Sequence, residues 1–345
     1  MFGDSASPRP AIRQLPRAVR INGTAREVPG KCLQGDVLDR KLGLRSGTLE
    51  TMSGVRRRYF TTGENAAQLG ARAARTALKK AGLDFDDIDL LLCVSGTADQ
   101  LIPCNAALIL QELDSRDRGV TCFDINSTCL SFVTGLDTIS YAIAAGRYRH
   151  VLLVASELPS LGINEQEPEA YSLFGDAAAA AVVAPAGPGE NSRLLGARLE
   201  TYPSGADHCQ LYGGAGRLPA YHYNSVAPSR YLFHMDGKKI FRQASAVMPG
   251  FVERLLTVAG VSLRDIDLVV PHQASLTAME LLRRKLGISK EQLVCTLPDY
   301  GNNIAASMPL ALDVAIEQGR LHRGQKVMLL GTSAGFSIGG LILEY

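Results

Sequence analysis

Apolar side chains recur at three- and four-residue intervals along some stretches of this chain and in short unbroken runs along others, the pattern of helices laid over buried strands. Over residues 65–81, Ala66, Leu69, Ala73 and Ala77 share one helical face, Arg72, Arg75 and Lys79 lie opposite, and Gly82 ends the run. Val133, Leu136, Ile139 and Ile143 keep the same spacing as far as Gly146, and residues 106–113 suggest a further helix. Strands are expected at residues 18–30, 90–94, 119–125 and 148–155, with a loop over 95–103. The alanine-rich run 177–183, opened by Phe174-Gly175-Asp176, fits either period, and its stop at Ala184-Pro185 favours a strand.

The second part of the chain repeats the first. Ala81-Gly82-Leu83-Asp84-Phe85-Asp86-Asp87-Ile88-Asp89-Leu90 is matched by the ten residues from Ala259 to Leu268, 178 positions on, and Ala142 to Arg147 by Ala315 to Arg320, 173 positions on. Two copies of one α/β unit follow, with halves at residues 18–186 and 187–345 behind a loose leader, 1–17. Residues 195–231, dense in Gly, Tyr and His, read as a long excursion of the kind that covers binding sites.

Composition narrows the class. With 345 residues, 46% of them hydrophobic, the chain can bury a large core, and a formal charge of +2 gives no overall field toward nucleic acid or an anionic membrane. The seven cysteines are scattered and without metal-like spacing, which points to a reducing, cytoplasmic setting. His208, His222 and His234 match no metal-ligand spacing. No run of apolar residues is long enough to cross a bilayer. Arg56-Arg57-Arg58 reads as a solvated edge that, beside an active site, would meet phosphates.

The chemistry concentrates at Asn126-Ser127-Thr128-Cys129-Leu130-Ser131, where a strand expected to be buried turns into a helix. A cysteine at such an elbow faces unpaired backbone N–H groups and the positive end of a helix dipole, which favour thiolate over thiol. Adding the offset of 173 to Cys129 gives Asn302, and Pro271-His272 recurs where the first copy has Cys93-Val94. Packed about a pseudo-twofold axis, the copies would bring cysteine, asparagine and histidine together. These residue types suit acyl transfer followed by carbon–carbon bond formation: a thiolate holds an acyl group, and histidine and asparagine donate to an enolate oxygen. The turn Gly331-Thr332-Ser333-Ala334-Gly335-Phe336 offers backbone N–H groups for a tetrahedral oxygen.

Thr128-Cys129-Leu130-Ser131-Phe132, Met235-Asp236-Gly237-Lys238-Lys239-Ile240-Phe241, Pro271-His272-Gln273-Ala274-Ser275 and the ten residues from Tyr300 to Pro309 together resemble the β-ketoacyl-ACP synthase III family of the thiolase superfamily. The resemblance spans about residues 18–345. It implies a thiolase-like five-layered αβαβα sandwich of two α/β halves and a homodimer. It implies a catalytic triad of Cys129, His272 and Asn302, an oxyanion hole from the N–H groups of Cys129 and Ala334, and a substrate pocket bordered by Ile102 and Phe241, with Ile102 reaching across the dimer. The implied reaction loads an acyl group from acyl-CoA or acyl-ACP onto Cys129 and condenses it with malonyl-ACP, with no metal or redox cofactor.

Departures from the family fall around substrate choice. Thr48 and Met52 stand where the family carries the tryptophan and arginine that hold the adenine end of coenzyme A. Ser275 replaces an asparagine, Thr277 an arginine that meets acyl carrier protein, and Ser131 and Ala334 replace glycines. An acyltransferase that passes the acyl group to a hydroxyl or amine, a relative joining two acyl chains head to head, and a silent partner subunit are the rival readings.

Overall fold

The computed structural model describes residues 10–113, 116–223 and 227–345. Up to residue 185 the chain runs through β1 (Val19–Glu27), β2 (Lys31–Gln34), α1 (Gly35–Lys41), α2 (Thr48–Ser53), β3 (Arg57–Phe60), α3 (Ala66–Ala81), β4 (Leu90–Cys93) and α4 (Asn105–Leu113). It continues through β5 (Thr121–Asp124), α5 (Ser131–Ala144), β6 (Val151–Glu157), α6 (Pro168–Leu173) and β7 (Ala177–Pro185). Beyond it come β8 (Arg193–Thr201), β9 (Cys209–Leu211), β10 (Phe233–Met235), α7 (Gly237–Ala259), β11 (Leu268–Pro271) and α8 (Leu276–Leu286). The last elements are α9 (Leu297–Tyr300), α10 (Ser307–Glu317), β12 (Lys326–Ser333) and β13 (Ser337–Glu344).

Two sheets organise these elements, in the orders β1-β7-β6-β4-β5 and β11-β12-β13-β8. β4 runs parallel to β5 and β6, and β11 parallel to β12, while the strands joining the far edges are antiparallel. The unbroken apolar runs of the central strands follow from cover on both faces. Leu90 and Leu92 of β4 face the core between the sheets, whereas Leu91 and Cys93 face α3 and α4. α5 and α10 fill the middle layer: Phe132, Leu136, Met308 and Leu312 meet side chains of both sheets there. Full burial of one such side chain contributes about 1.5–3 kcal/mol. α7 and α8 cover the outer face of the second sheet. The layers therefore stack as αβαβα, as expected.

Local chemistry explains the helix against the first sheet. Asn65 and Gln68 form a reciprocal cap at the start of α3, and Gly82 ends it at φ 69°. Its alanine face lets it lie close to β1, where a Cβ on Gly23 would come within 2.5 Å of the Ala77 carbonyl oxygen.

Several expectations need correction. Residues 10–17 are not loose: the Gln14 N–H donates to the Val258 carbonyl, and Arg17 is buried and paired with Asp137 at 2.8 Å. The rest of the expected leader, residues 1–9, lies outside the described residues. The excursion begins only after β8, which takes residues 195–201 into the second sheet; Gly196 there breaks the apolar pattern because a Cβ would meet the backbone of Ala259 in α7. Residues 224–226 of that excursion also lie outside the described residues. The strand before the elbow is not buried, since β5 is the edge of its sheet and Phe123 is 39% exposed. Arg58 is fully enclosed and donates to the Tyr171 carbonyl at 2.8 Å, while Arg56 and Arg57 share Asp299.

The repeat also has a different register at its functional end. Thr128 and Ile304 are the two non-glycine residues with positive φ among those described, at 52° and 49°, and they lie 176 positions apart. Helices α5 and α10 begin at Ser131 and Ser307, again 176 apart, but have 14 and 11 residues. The offset of 173 belongs to their C-terminal ends. Asn302 is therefore the counterpart of Asn126, and Cys129 that of Ala305.

Candidate active site

Each elbow is built by the same hydrogen bonds. Asn126 Oδ1 accepts the Thr128 N–H at 2.9 Å, and Ser131 Oγ accepts the Ser127 N–H at 2.9 Å. In the second copy Asn302 Oδ1 accepts the Ile304 N–H at 2.9 Å, and Ser307 Oγ accepts the Asn303 N–H at 3.0 Å. These bonds hold a left-handed residue that L-amino acids otherwise avoid by about 1–2 kcal/mol. They also leave the Asn302 amide nitrogen free to donate. Asn303 anchors that turn, giving its amide hydrogens to the Gly175 and Tyr300 carbonyls.

His272 follows β11. Its N–H donates to the Leu330 carbonyl at 2.8 Å, and its side chain lies over Gly331, where a Cβ would come within 2.7 Å of the His272 Cβ. The adjacent Gln273 is fully buried and satisfied: its amide group donates to the Pro271 and Val294 carbonyls and accepts from the Thr296 and Leu297 N–H groups. That locks the peptide carrying His272. The C-terminal turn is tied to the first elbow by Ser333 Oγ, which donates to the Ser127 carbonyl at 2.8 Å.

Cys129, His272, Asn302, Ala334 and Phe241 all line one largely apolar cavity of about 960 Å³. Ile102 does not: it is 87% exposed on the loop before α4 and outside the cavity of its own chain. Met52, Ser275 and Thr277 reach the cavity as well, and Thr48 does not. Among the described residues no group of three or more His, Cys, Asp or Glu side chains is arranged to hold a metal ion. No helix there is long and apolar enough to cross a membrane.

The charge states differ from the thiolate expected at an elbow. Burial pushes the Cys129 thiol well up, and the neighbouring Cys209 and Glu157 push the same way. The N–H groups of Ala334 and of Cys129 itself bond the sulfur and oppose this without overcoming it. Burial lowers His272 to about 4, so its imidazole is neutral near pH 7, and His272 Nδ1 has no hydrogen-bond partner among the described residues. The pair is thus thiol and neutral imidazole, an arrangement in which the imidazole can accept a proton from the thiol.

Glu157 escaped the reading of the sequence, and Gln273, Asn303 and Cys209 were given no role of their own in it. Glu157 is fully buried at the end of β6 and raised to about 7 by that burial. Cys209 lines the cavity from β9 and is pushed up to about 12. The acidic residue ending an apolar strand was the one available signal for Glu157.

Comparison with known proteins gives a consistent picture. The family profile described as 3-Oxoacyl-[acyl-carrier-protein (ACP)] synthase III matches residues 123–203, and that of its C-terminal part matches 256–345. The beta-ketoacyl-[acyl-carrier-protein] synthase III of Symbiobacterium thermophilum is 35% identical over 334 residues, covering 95% of this chain and 98% of the relative. The crystal structure of 3-oxoacyl-(acyl carrier protein) synthase III from Pseudomonas aeruginosa PAO1 superposes with a TM-score of 0.85 at 28% identity, covering 95% and 98% of the two chains. The priming beta-ketosynthase from the R1128 polyketide biosynthetic pathway superposes with a TM-score of 0.86 at 28% identity, covering 97% and 98%.

Proposed function

Because the chain belongs to the β-ketoacyl-[acyl-carrier-protein] synthase III family, we propose that it is an acyltransferase of the condensing type, joining a Cys129-bound acyl group to malonyl-ACP with loss of carbon dioxide. The observation that carries this reading is the opening of Cys129, His272 and Asn302 onto one apolar cavity, with the N–H groups of Cys129 and Ala334 on the sulfur.

In the loading step the Cys129 sulfur attacks the carbonyl carbon of an acyl-CoA or acyl-ACP thioester while its proton passes to the His272 imidazole. The oxygen that becomes negative is met by the Cys129 and Ala334 N–H groups. Collapse breaks the old carbon–sulfur bond, the departing thiol takes the proton back from His272, and the acyl group stays on Cys129. In the second step the bond from the malonyl carbon to its carboxylate breaks, and carbon dioxide leaves. The electron pair remains as an enolate whose oxygen accepts hydrogen bonds from His272 and the Asn302 amide. The enolate carbon then attacks the acyl carbon, forming the new carbon–carbon bond and releasing Cys129 as thiolate, which is reprotonated. The reaction runs on thioester substrates and calls for no cofactor.

The same reading assigns the halves 18–186 and 187–345, a homodimer in which Ile102 meets the partner's acyl pocket, and a cytoplasmic location. It is tested by intact-protein mass after incubation with a panel of acyl-CoA and acyl-ACP thioesters, followed by a malonyl-ACP chase. Addition of one acyl mass at Cys129 and its discharge as a β-ketoacyl product supports the reading. Loading discharged only by a hydroxyl or amine would replace condensation with simple acyl transfer, and no loading from any thioester would refute both.

A further inference from the structure

Among the described residues Glu157 is the one fully buried carboxylate beside the nucleophile, and nothing in the reaction above uses it. Oε1 accepts the Gly96 N–H and, at 3.4 Å, the Ala305 N–H; Oε2 accepts the Thr97 N–H at 3.0 Å and the Thr97 hydroxyl. Gly96 and Thr97 follow β4 in the first copy, whereas Ala305 sits at the second elbow. The loop that Glu157 grips is wedged between the two left-handed residues: a Cβ on Gly96 would lie 3.1 Å from Thr128 Cα and 2.9 Å from Ile304 Cγ2. Asn126 Nδ2 donates to the Gly96 carbonyl at 3.3 Å, and Ser131 Oγ touches the Ser95 carbonyl at 3.2 Å. Asn126, Thr128, Ser131, Ile304 and Ala305, which this loop and Glu157 touch, all lie within three residues of Cys129 or Asn302.

We infer that Glu157 is a positioning residue for both elbows, holding the 96–97 loop against Thr128 and Ile304 so that the Cys129 sulfur and the Asn302 amide keep their common focus. This rests on the reading of Cys129 as nucleophile. A merely structural role is set apart by electrostatics. The partners that hold the carboxylate are N–H and O–H donors, and the titratable groups that feel it are the thiols of Cys93 on β4 and Cys129. Glu157, raised to about 7 by burial, therefore changes charge near neutrality. When ionised it disfavours the Cys129 thiolate by like charge. Glu157 thus aligns the nucleophile and, when ionised, adds to the burial that keeps it protonated.

The test compares the full-length parent with Glu157→Gln and Glu157→Asp in three measurements: the rate of Cys129 alkylation by iodoacetamide between about pH 6 and 10, the acyl-loading rate at saturating thioester, and the melting temperature. Glu157→Gln removes the charge and turns a donor toward the Thr97 N–H. Its alkylation profile is expected to move to lower pH by about half a unit or more, while acyl loading falls about 10- to 100-fold. Glu157→Asp keeps the charge but withdraws it by one methylene, so its alkylation profile stays with the parent and its loading recovers only in part. A Glu157→Gln protein that alkylates along the parent profile and loads at the parent rate overturns the inference, as does a change confined to melting temperature. Should Glu157→Gln fail to fold, Glu157→Asp decides alone, and parent-like loading by it overturns the inference. Alkylation needs no acyl substrate. A parent that accepts no thioester would therefore sink the condensing reading while leaving the alkylation comparison intact.

Discussion

Removing one hydroxyl from each elbow, by Ser131→Ala and Ser307→Ala, should damage stability alike and function differently. Both side chains are fully buried. Ser131 Oγ accepts the Ser127 N–H and donates to the Thr128 carbonyl at 2.7 Å; Ser307 Oγ accepts the Asn303 N–H. Alanine leaves one N–H without a partner in each case, buried at Asn303 and half-buried at Ser127, which costs about 1–3 kcal/mol. With an unfolding entropy of ~2.1 cal/mol/K per residue over 345 residues, 1 kcal/mol shifts the melting temperature by about 1.4 °C, so each variant should melt roughly 1.5–4 °C lower. The functional consequences separate because one elbow carries Cys129 and the other Asn302. Ser131→Ala should slow acyl loading measured by intact mass. Ser307→Ala should load at the parent rate but release carbon dioxide from malonyl thioester more slowly. The assay pairs thermal unfolding with these two rates. Equal functional losses in both variants, or a melting shift in neither, would refute the claim that each serine holds its own elbow.

Cys129→Ala should abolish acyl loading, whereas Asn302→Ala should load normally and lose about 10²- to 10³-fold in decarboxylation, the usual loss for one oxyanion donor; mass spectrometry and carbon dioxide release separate the two. Asp313, 1% exposed and bonded to Thr24, Arg26 and Lys80, ties α10 to the first sheet. Because Glu317 keeps both cations partnered, Asp313→Ala should cost about 2–3 kcal/mol in urea unfolding. His272 and Glu157 act oppositely on stability against pH. The histidine, lowered to about 4 from 6.5, binds more protons unfolded, so its contribution is lost as pH falls from about 6.5 to 4. The carboxyl, raised to about 7 from 4.5, binds more protons folded, so its contribution is lost as pH rises from about 4.5 through 7. Each shift corresponds to roughly 3 kcal/mol, and the two nearly cancel between pH 4.5 and 6.5. His272→Ala should therefore expose stability that falls with rising pH in that window, and Glu157→Gln stability that rises; a flat profile in either variant would contradict the assignment.

What the sequence revealed of this protein was what local pattern controls. The apolar runs of β4, β6 and β7 and the alanine face of α3 could be read because their spacing is set by cover on both sides of a sheet. Cys129, His272 and Asn302 could be singled out because each residue type stands at an elbow or strand end, and the structure sets all three on one cavity. The register of the repeat could not, since α10 is three residues shorter than α5 and the clearest match lay beyond that deletion. Arg58 was hidden for a different reason: in a strand alternate residues face opposite ways, so the middle arginine of the triplet points out while the third points in. The thiol state of Cys129 was beyond reach because burial raises it first, and the groups that add to this, Cys209 and Glu157, are brought in by β9 and β6.

That charge state bears on why the site suits condensation. An enolate survives only if nothing nearby protonates it before it finds the acyl carbon. A protonated imidazole beside it would be a strong enough acid to do so, whereas a neutral one can donate a hydrogen bond without surrendering its proton. Burial holds His272 neutral, and among the described residues no carboxylate meets His272 Nδ1 to stabilise the charged form. Hydrolases orient their histidine with an acidic partner that favours the imidazolium in the transition state; here the buried acid, Glu157, is bonded to the elbows instead. The apolar lining of the cavity limits water around an acyl thioester held there, and in the proposed reaction the Asn302 amide is a second donor that cannot act as an acid at all. The arrangement thus favours attack by carbon over quenching by a proton or by water, through burial rather than through any one additional residue.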